Sequence, residues 1–292
     1  MRNLIEKRKK SRILIYFQAI FISIAYSACD KADYLDIDAS ERPPLSAKVK
    51  LVNVLSKNVP VHFWDFTRQI NSDALTPNTA SEDYLDTQYG KVQFNLTEGE
   101  STTYKASYLF GGSANFIQET DKNSFSGPNG PIATFYHSLF AVQKKSISKL
   151  NPGNIDSLIL VYDDLSAPAA DKIKIRFANF DINHARVSVL NSKGETLFTD
   201  VDYGTFGDQV KITYDENGKS AGDVPGLDWK SLGPFKEVDT QDLHTITIID
   251  ELGRDLDVTA FANLSITSGK IYTLFISKDF QSNRIIGTVI SH

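Results

Sequence analysis

The chain has 292 residues, 41% of them hydrophobic and 11% aromatic, and a net charge of −5 at pH 7. That length and apolar content allow one large domain or two of ordinary size. A single cysteine excludes an internal disulfide framework and any zinc site built on several thiolates. The acidic balance argues against nucleic acid as a main partner, which would need basic patches.

The N-terminal segment stands apart. Arg2, Lys7, Arg8, Lys9, Lys10 and Arg12 form a basic head in which Glu6 is the only acid. The stretch "ILIYFQAIFISIAY", 13–26, is apolar except for Gln18 and Ser23. As a helix it would span about 21 Å, short of a roughly 30 Å hydrocarbon core. Residues 1–28 therefore read as a signal peptide ending in the small residues Ser27 and Ala28. The lone cysteine, Cys29, follows directly. This junction resembles a bacterial lipobox, with Tyr26 standing where Leu is usual. The resemblance implies cleavage before Cys29 and acylation of it, which makes a membrane the partner through a lipid anchor. Several acyl chains hold a protein stably where one does not. An ordinary cleaved signal and an uncleaved anchor are the alternatives.

Loss of residues 1–28 removes six basic and one acidic side chain, leaving 25 and 35 and a net charge of −10. Residues 29–45 carry Asp30, Asp33, Asp36, Asp38 and Glu41 before Pro43 and Pro44. They have no strand or helix period and read as an acidic tether. Acids with Lys31 just after the cysteine resemble the surface-export signal of Bacteroidota lipoproteins. The expected location is thus the outer membrane, displayed at the cell surface, with a periplasm-facing orientation as the alternative.

Beyond the tether the chain resembles itself. "VKLVNVLSKNVPVHFW" (49–64) aligns without a gap on "IRFANFDINHARVSVL" (175–190), placing Asn53 on Asn179 and Val61 and Phe63 on Val187 and Val189. Each is an alternating strand, a polar turn and a second alternating strand, the signature of a hairpin or arch. A second match sets "LNPGNIDSLIL" (150–160) on "ITSGKIYTLFI" (266–276), and a looser one sets "TTYKASYLF" (102–110) on "DLHTITIID" (242–250). Short β-branched and aromatic runs such as "KVQFNL", "SLILVY", "TITII" and "RIIGTVI" are separated by turn residues, and no long run has a clear helical period. The expected fold is all-β: two tandem Ig-like β-sandwich domains, 46–165 and 172–292, joined by the linker "SAPAAD" at 166–171.

The two openings resemble an uncharacterised family of Bacteroidota envelope lipoproteins that carries a domain of unknown function. Its units begin with an Arg/Asn strand followed by a Val-x-Val strand and end near a Gly-x-x-Tyr-Thr strand. The second unit fits through Arg176, Asn179, Val187, Val189, Gly269, Tyr272 and Thr273; the first departs at Lys50 and at Asp156–Ser157. The resemblance implies a tandem β-sandwich surface lipoprotein and supplies no activity.

Chemistry is sparse. There is no G-x-S-x-G elbow, phosphate loop, H-E-x-x-H or dinucleotide fingerprint. The histidines beyond the leader, His62, His137, His184, His244 and His292, are never within five residues of each other. No metal, cofactor or catalytic residue is expected. The acidic pairs Asp163–Asp164, Asp200/Asp202 and Asp255/Asp257 read as solvated faces. Asp215–Asp223 places glycine at the fourth position rather than the sixth of an EF-hand, so a hairpin at Asn217–Gly218 fits better. The insertion 206–238 carries Trp229 between Asp228 and Lys230, the candidate ligand contacts: an indole for a sugar face, flanked by groups for hydroxyls. The competing reading packs Trp229 against the sandwich as the loop's own anchor. Trp64 reads as structural. Together these features suggest a non-catalytic binding or adhesion module with a carbohydrate or protein partner. The alternatives are a scaffold subunit of an envelope complex and a surface hydrolase, which would need two carboxylates facing each other across a cleft.

Overall fold

Alternation in the sequence becomes strand faces in the structure, a computed structural model that describes residues 44–111, 130–144, 156–210 and 232–292. The leader, Cys29 and nearly all of the tether lie outside these residues. The first half supplies β1 (Ala47–Asn53), β2 (Val61–Asp65), β3 (Arg68–Gln69), β4 (Thr79–Ala80), β5 (Leu85–Thr87), β6 (Val92–Glu98), β7 (Ala106–Phe110), β8 (Tyr136–Gln143) and β9 (Asp156–Tyr162). The second supplies β10 (Lys172–Phe180), β11 (Arg186–Leu190), β12 (Thr196–Asp202), β13 (Thr205–Phe206), β14 (Lys236–Asp239), β15 (Thr247–Asp250), β16 (Asp255–Leu256), β17 (Ile271–Lys278) and β18 (Ile285–Ser291). Helix is confined to two single 3-10 turns among the described residues.

Four sheets result. In the first half β4 and β5 both flank β1, which continues to β8 and β9, while β3, β2, β6 and β7 form a second sheet. In the second half β13 and β14 flank β10, followed by β17 and β18, and β12, β11, β15 and β16 form the fourth. Every pairing in one half has its counterpart in the other, down to the parallel pair β1–β8 matched by β10–β17 among otherwise antiparallel ladders. β1 and β2 lie in different sheets, so the repeated strand–turn–strand opening is an arch and not a hairpin. The arch has a repeated clamp. Asn53 donates to the carbonyls of Val59 and Leu75 and accepts from Leu55 N–H; Asn179 donates to those of His184 and Val201 and accepts from Asp181 N–H. A buried amide at the bend satisfies backbone groups that no ladder can reach.

The register corrects two of the sequence matches. Lys48 pairs with Tyr136 and Lys174 with Ile271. The counterpart of β17 is therefore β8, with "YHSLFAVQ" over "IYTLFISK", and the counterpart of β9 is β18. Likewise β15 answers to β6, so the match of 102–110 to 242–250 joins unlike strands. β8, β9 and β17 are covered on both faces and read as near-continuous apolar runs, so their patterns are interchangeable by eye.

Residues 45–292 form one compact body, and its three apolar clusters show why. One fills the first sandwich, with Val49, Leu51, Phe63, Phe94, Phe110 and Leu139 at its heart. Another fills the second, around Ile175, Phe177, Val189, Phe198, Ile248 and Phe261. The third lies between them: Val52, Phe140, Val142, Ile159 and Val161 of the β1–β8–β9 sheet pack on Ala178, Phe180, Phe206, Phe275 and Ile290 of the β10–β17–β18 sheet. The body is a four-layer stack whose two middle sheets are apolar on both sides.

Candidate functional site

Two places gather polar chemistry. The first is the rim of the middle seam. Asp163 follows β9 and its N–H bonds the carbonyl of Tyr136; His292 follows β18 and its N–H bonds that of Ile271. By the register above the two are counterparts, as are Ser138 and Thr273, and Lys50 and Arg176. The seam thus brings the same positions of both halves together.

Arg176 is fully buried and stacks on Phe235 at 4.4 Å, with Phe206 at 5.4 Å and Phe140 at 5.8 Å. Its Nη2 pairs with Asp163 Oδ1 at 2.8 Å and donates to Thr273 Oγ1 at 2.9 Å; Nη1 donates to the carbonyls of Tyr162 and Gly233. Tyr84 and Ser138 hydroxyls each lie 2.7 Å from Asp163 Oδ2. His292 completes the set, with Nδ1 2.7 Å from Tyr84 Oη and Nε2 2.7 Å from Thr273 Oγ1.

One proton arrangement satisfies all of these. Tyr84 donates to Asp163, so its oxygen accepts from His292 Nδ1–H. Nε2 then accepts from Thr273, whose oxygen accepts from Arg176. Arg176 closes the ring on Asp163. Burial would push the Asp163 carboxyl up, but the Arg176 charge, His292 and the Tyr84 and Ser138 hydroxyls hold it below its ordinary value. Burial, with Asp163 opposing and the Arg176 and Lys50 charges assisting, pushes His292 down to about 4, so the imidazole is neutral. Burial and the Asp163 charge raise the Tyr84 phenol. Lys50 sits over the Tyr84 ring at 5.3 Å and donates to the carbonyls of Ser81 and Glu82. The ring is a closed, solvent-shielded seal between the halves.

The sequence reading of Asp163 as part of a solvated acidic face is therefore wrong, because β9 carries it into the seam opposite a fixed guanidinium. Its neighbour Asp164 remains half exposed and pairs with Lys174 at 2.9 Å. Asp202 reaches Arg186 at 2.8 Å. His62 and His137 lie in strands, whereas His244 is exposed outside them. Among the described residues no three His, Cys, Asp or Glu side chains are grouped to hold a metal ion.

The second place is the outward face of the β3–β2–β6–β7 sheet. The 2-residue period turns Val61, Phe63 and Asp65 inward and His62 and Trp64 outward. Trp64 is half-buried on this outer face, outside the apolar core of the sandwich. It stands directly opposite Asn95, which stands opposite Ser107, one row across three strands. Trp64 Nε1 donates to Thr97 Oγ1 at 3.0 Å, which fixes the indole. The ring of Tyr104, which is 39% exposed, meets it edge-on at 6.3 Å and 61°. Gln93 Nε2 donates to Asn95 Oδ1 and Ser107 Oγ, both at 3.0 Å. Asn95 Nδ2 and Tyr104 Oη both donate to the carbonyl of Phe66. Phe66 itself is exposed, at φ 50°, a conformation that is strained for a bulky side chain.

Trp229, Asp228 and Lys230 lie outside the described residues, as does Cys29. The face at Trp64 escaped the sequence reading, although its signal, an aromatic at an outward position of an alternating strand, was present.

No family model matches the chain, and no curated protein matches it. Among solved structures, one from Bacteroides uniformis described as a "putative cell adhesion protein" superposes with a TM-score of 0.20 at 6% identity, over 86% of this chain and 99% of that one. A superposition that loose supports no statement about this chain's fold or activity.

Proposed function

We propose that this chain is a non-catalytic binding module, held on the outer membrane by a lipid on Cys29 and displayed at the cell surface on its acidic tether. One observation carries the reading: the polar constellation at the seam is spent on sealing the body, while the outer face of the β3–β2–β6–β7 sheet exposes Tyr104 and Ser107 beside the half-buried Trp64. An enzyme keeps its ionisable groups in reach of substrate; here Tyr84 bonds both Asp163 and His292 inside the seam. A four-layer stack at the end of a tether presents a fixed surface, which limits the entropy lost on binding.

The anchor and the display are tested together in cells. The wild-type chain should fractionate with the outer membrane and be labelled by antibody on intact cells, and Cys29→Ala should move it to the soluble fraction. A Cys29→Ala chain that stays with the envelope through a high-salt wash would refute lipid anchoring. Adhesion or ligand capture by cells displaying the wild-type chain, and not by cells lacking it, tests the binding role.

A further inference from the structure

Apart from both places described above, we infer that the folded chain joins Lys57 to Asp156 by an isopeptide bond, with Glu98 as the proton relay. The inference goes beyond the binding reading and does not rest on it. Lys57 stands in the bend after β1, Glu98 closes β6 and Asp156 opens β9. Folding gathers the three in the first half. Lys57 Nζ lies 2.7 Å from Asp156 Oδ2 and also pairs with Glu98, whose carboxyl hydrogen-bonds that of Asp156. The Asp156 carboxyl carbon is one covalent bond beyond Oδ2, close to the roughly 3–3.5 Å from which a bond can form. Asp156 is 1% exposed, Tyr108 donates to its backbone carbonyl at 3.1 Å, and Glu98 stands opposite the buried Val61. The fold does not require the triad. By the repeat and the strand register, the second half places Asn183, Asp250 and Ile285 at these positions, with neither the amine nor the carboxyl of the bond.

The reaction is a condensation and needs no co-reactant. Lys57 first passes a proton to Asp156, leaving a neutral amine and a carboxylic acid. Burial, against Lys57, raises the Asp156 carboxyl to about 6, which keeps the acid form in reach. Burial also pulls the Lys57 amine down, but Asp156 and Glu98 outweigh it, so this first transfer is the uphill one. The amine lone pair then attacks the carboxyl carbon and a C–N bond forms. The Glu98 carboxylate takes one proton from that nitrogen and hands it to the hydroxyl, whose C–O bond breaks. The electron pair of that bond leaves with the oxygen as water, the remaining oxygen returns to a carbonyl, and Glu98 ends as it began. Groups held in this way react as if at about 10⁵ M or more, which offsets the cost of discharging the pair. The product replaces a shielded ion pair by a neutral amide and so removes the desolvation penalty of two charges. In the condensed chain neither side chain titrates. The bond ties the arch after β1 to the start of β9, so a load entering through β1 leaves through β9 and bypasses residues 58–155.

The test is the intact mass of the folded full chain in detergent micelles, compared with Lys57→Arg and Glu98→Gln. Arginine keeps the charge and does not condense; glutamine keeps the shape of the relay without its proton chemistry. Near-UV circular dichroism reports that each variant folds. After allowance for the substitutions, the wild type should be lighter than both variants by one water. Trypsin should release one branched peptide joining 51–68 to 150–172, with the chain uncut at Lys57. A folded wild type that matches its variants in mass after long incubation near neutral pH overturns the bond. A one-water deficit confined to a single linear peptide overturns it too, since that is a cyclised side chain elsewhere. A deficit that persists in Lys57→Arg overturns the pairing, and one that persists in Glu98→Gln overturns the relay.

Discussion

His292 ties the stability of the stack to pH, and the size of the effect follows from its place in the ring. Its imidazole is neutral because Nδ1–H donates to Tyr84 while Nε2 accepts from Thr273. A second proton on Nε2 would face the Thr273 hydroxyl hydrogen in a site that already holds Arg176 and Lys50. The folded value of about 4 lies below the ordinary 6.5. As pH falls, the unfolded chain takes up the proton first, so folding loses free energy between pH 6.5 and 4. At about 1.36 kcal/mol per unit, the loss from pH 7 to pH 5 is about 2 kcal/mol. Asp156, as a free acid, works the other way. Burial, against Lys57, raises its carboxyl from 3.8 to about 6, so the folded chain holds that proton first and gains about 1 kcal/mol over the same interval. The wild-type slope alone therefore understates the His292 contribution. The assay is urea unfolding at pH 7 and pH 5, at one ionic strength, of wild type and His292→Gln, whose amide can accept from Thr273 and donate to Tyr84 without titrating. The wild type should lose about 2 kcal/mol more than the variant on acidification. Equal slopes would refute the neutral imidazole, as would imidazole 15N shifts at pH 7 that place the proton on Nε2.

Three further outcomes follow from the same contacts. Arg176→Met leaves Asp163 buried without its cation and should cost about 3–5 kcal/mol, whereas Arg176→Met with Asp163→Leu should recover part of that loss; denaturant midpoints of the single and double variants decide it. The clamps at Asn53 and Asn179 make the same set of bonds in their own halves, so Asn53→Ala and Asn179→Ala should each cost about 2 kcal/mol and match within about 1; a large asymmetry would show that the arches are not energetically equivalent. Because an apolar cluster fills the seam as it fills each sandwich, both halves should unfold in a single calorimetric transition with equal calorimetric and van't Hoff enthalpies; two resolved transitions would show that the seam is weaker than its packing implies.

The all-β architecture was legible because alternation survives in strands with one solvated face. "VHFWD" turns Val61 and Phe63 in and His62 and Trp64 out, and the arch with its bend asparagine repeats at a constant offset. Legibility failed where the sheets are covered on both sides. β8, β9 and β17 are buried along nearly their whole length, so period two disappears and β17 was matched to β9 in place of β8. The same failure hid the seam. Sequence alone cannot separate a sandwich that ends at solvent from one whose outer face meets another sheet, except that "FAV" and "LFIS" spend apolar side chains on both faces where one would do.

The seal was illegible for a different reason. Its members sit far apart in the chain, and where Ser138 answers to Thr273 and Lys50 to Arg176, the pair at its centre, Asp163 against His292, is unlike in kind. That dissimilarity is itself informative. Where two copies of a unit meet about a common seam, equivalent positions face each other, and a carboxylate at both would place two like charges together, as His292 Nδ1 lies 3.7 Å from Asp163 Oδ2. A neutral imidazole in one copy removes the repulsion and still accepts and donates. The seam therefore demands that the halves diverge there, and a self-comparison that scores likeness passes over these positions. The face at Trp64 diverges for a local reason instead: the buried Asn95 holds the Phe66 carbonyl and the buried Thr97 holds the Trp64 indole, bonds that the Thr247 and Ile249 of the other half do not repeat.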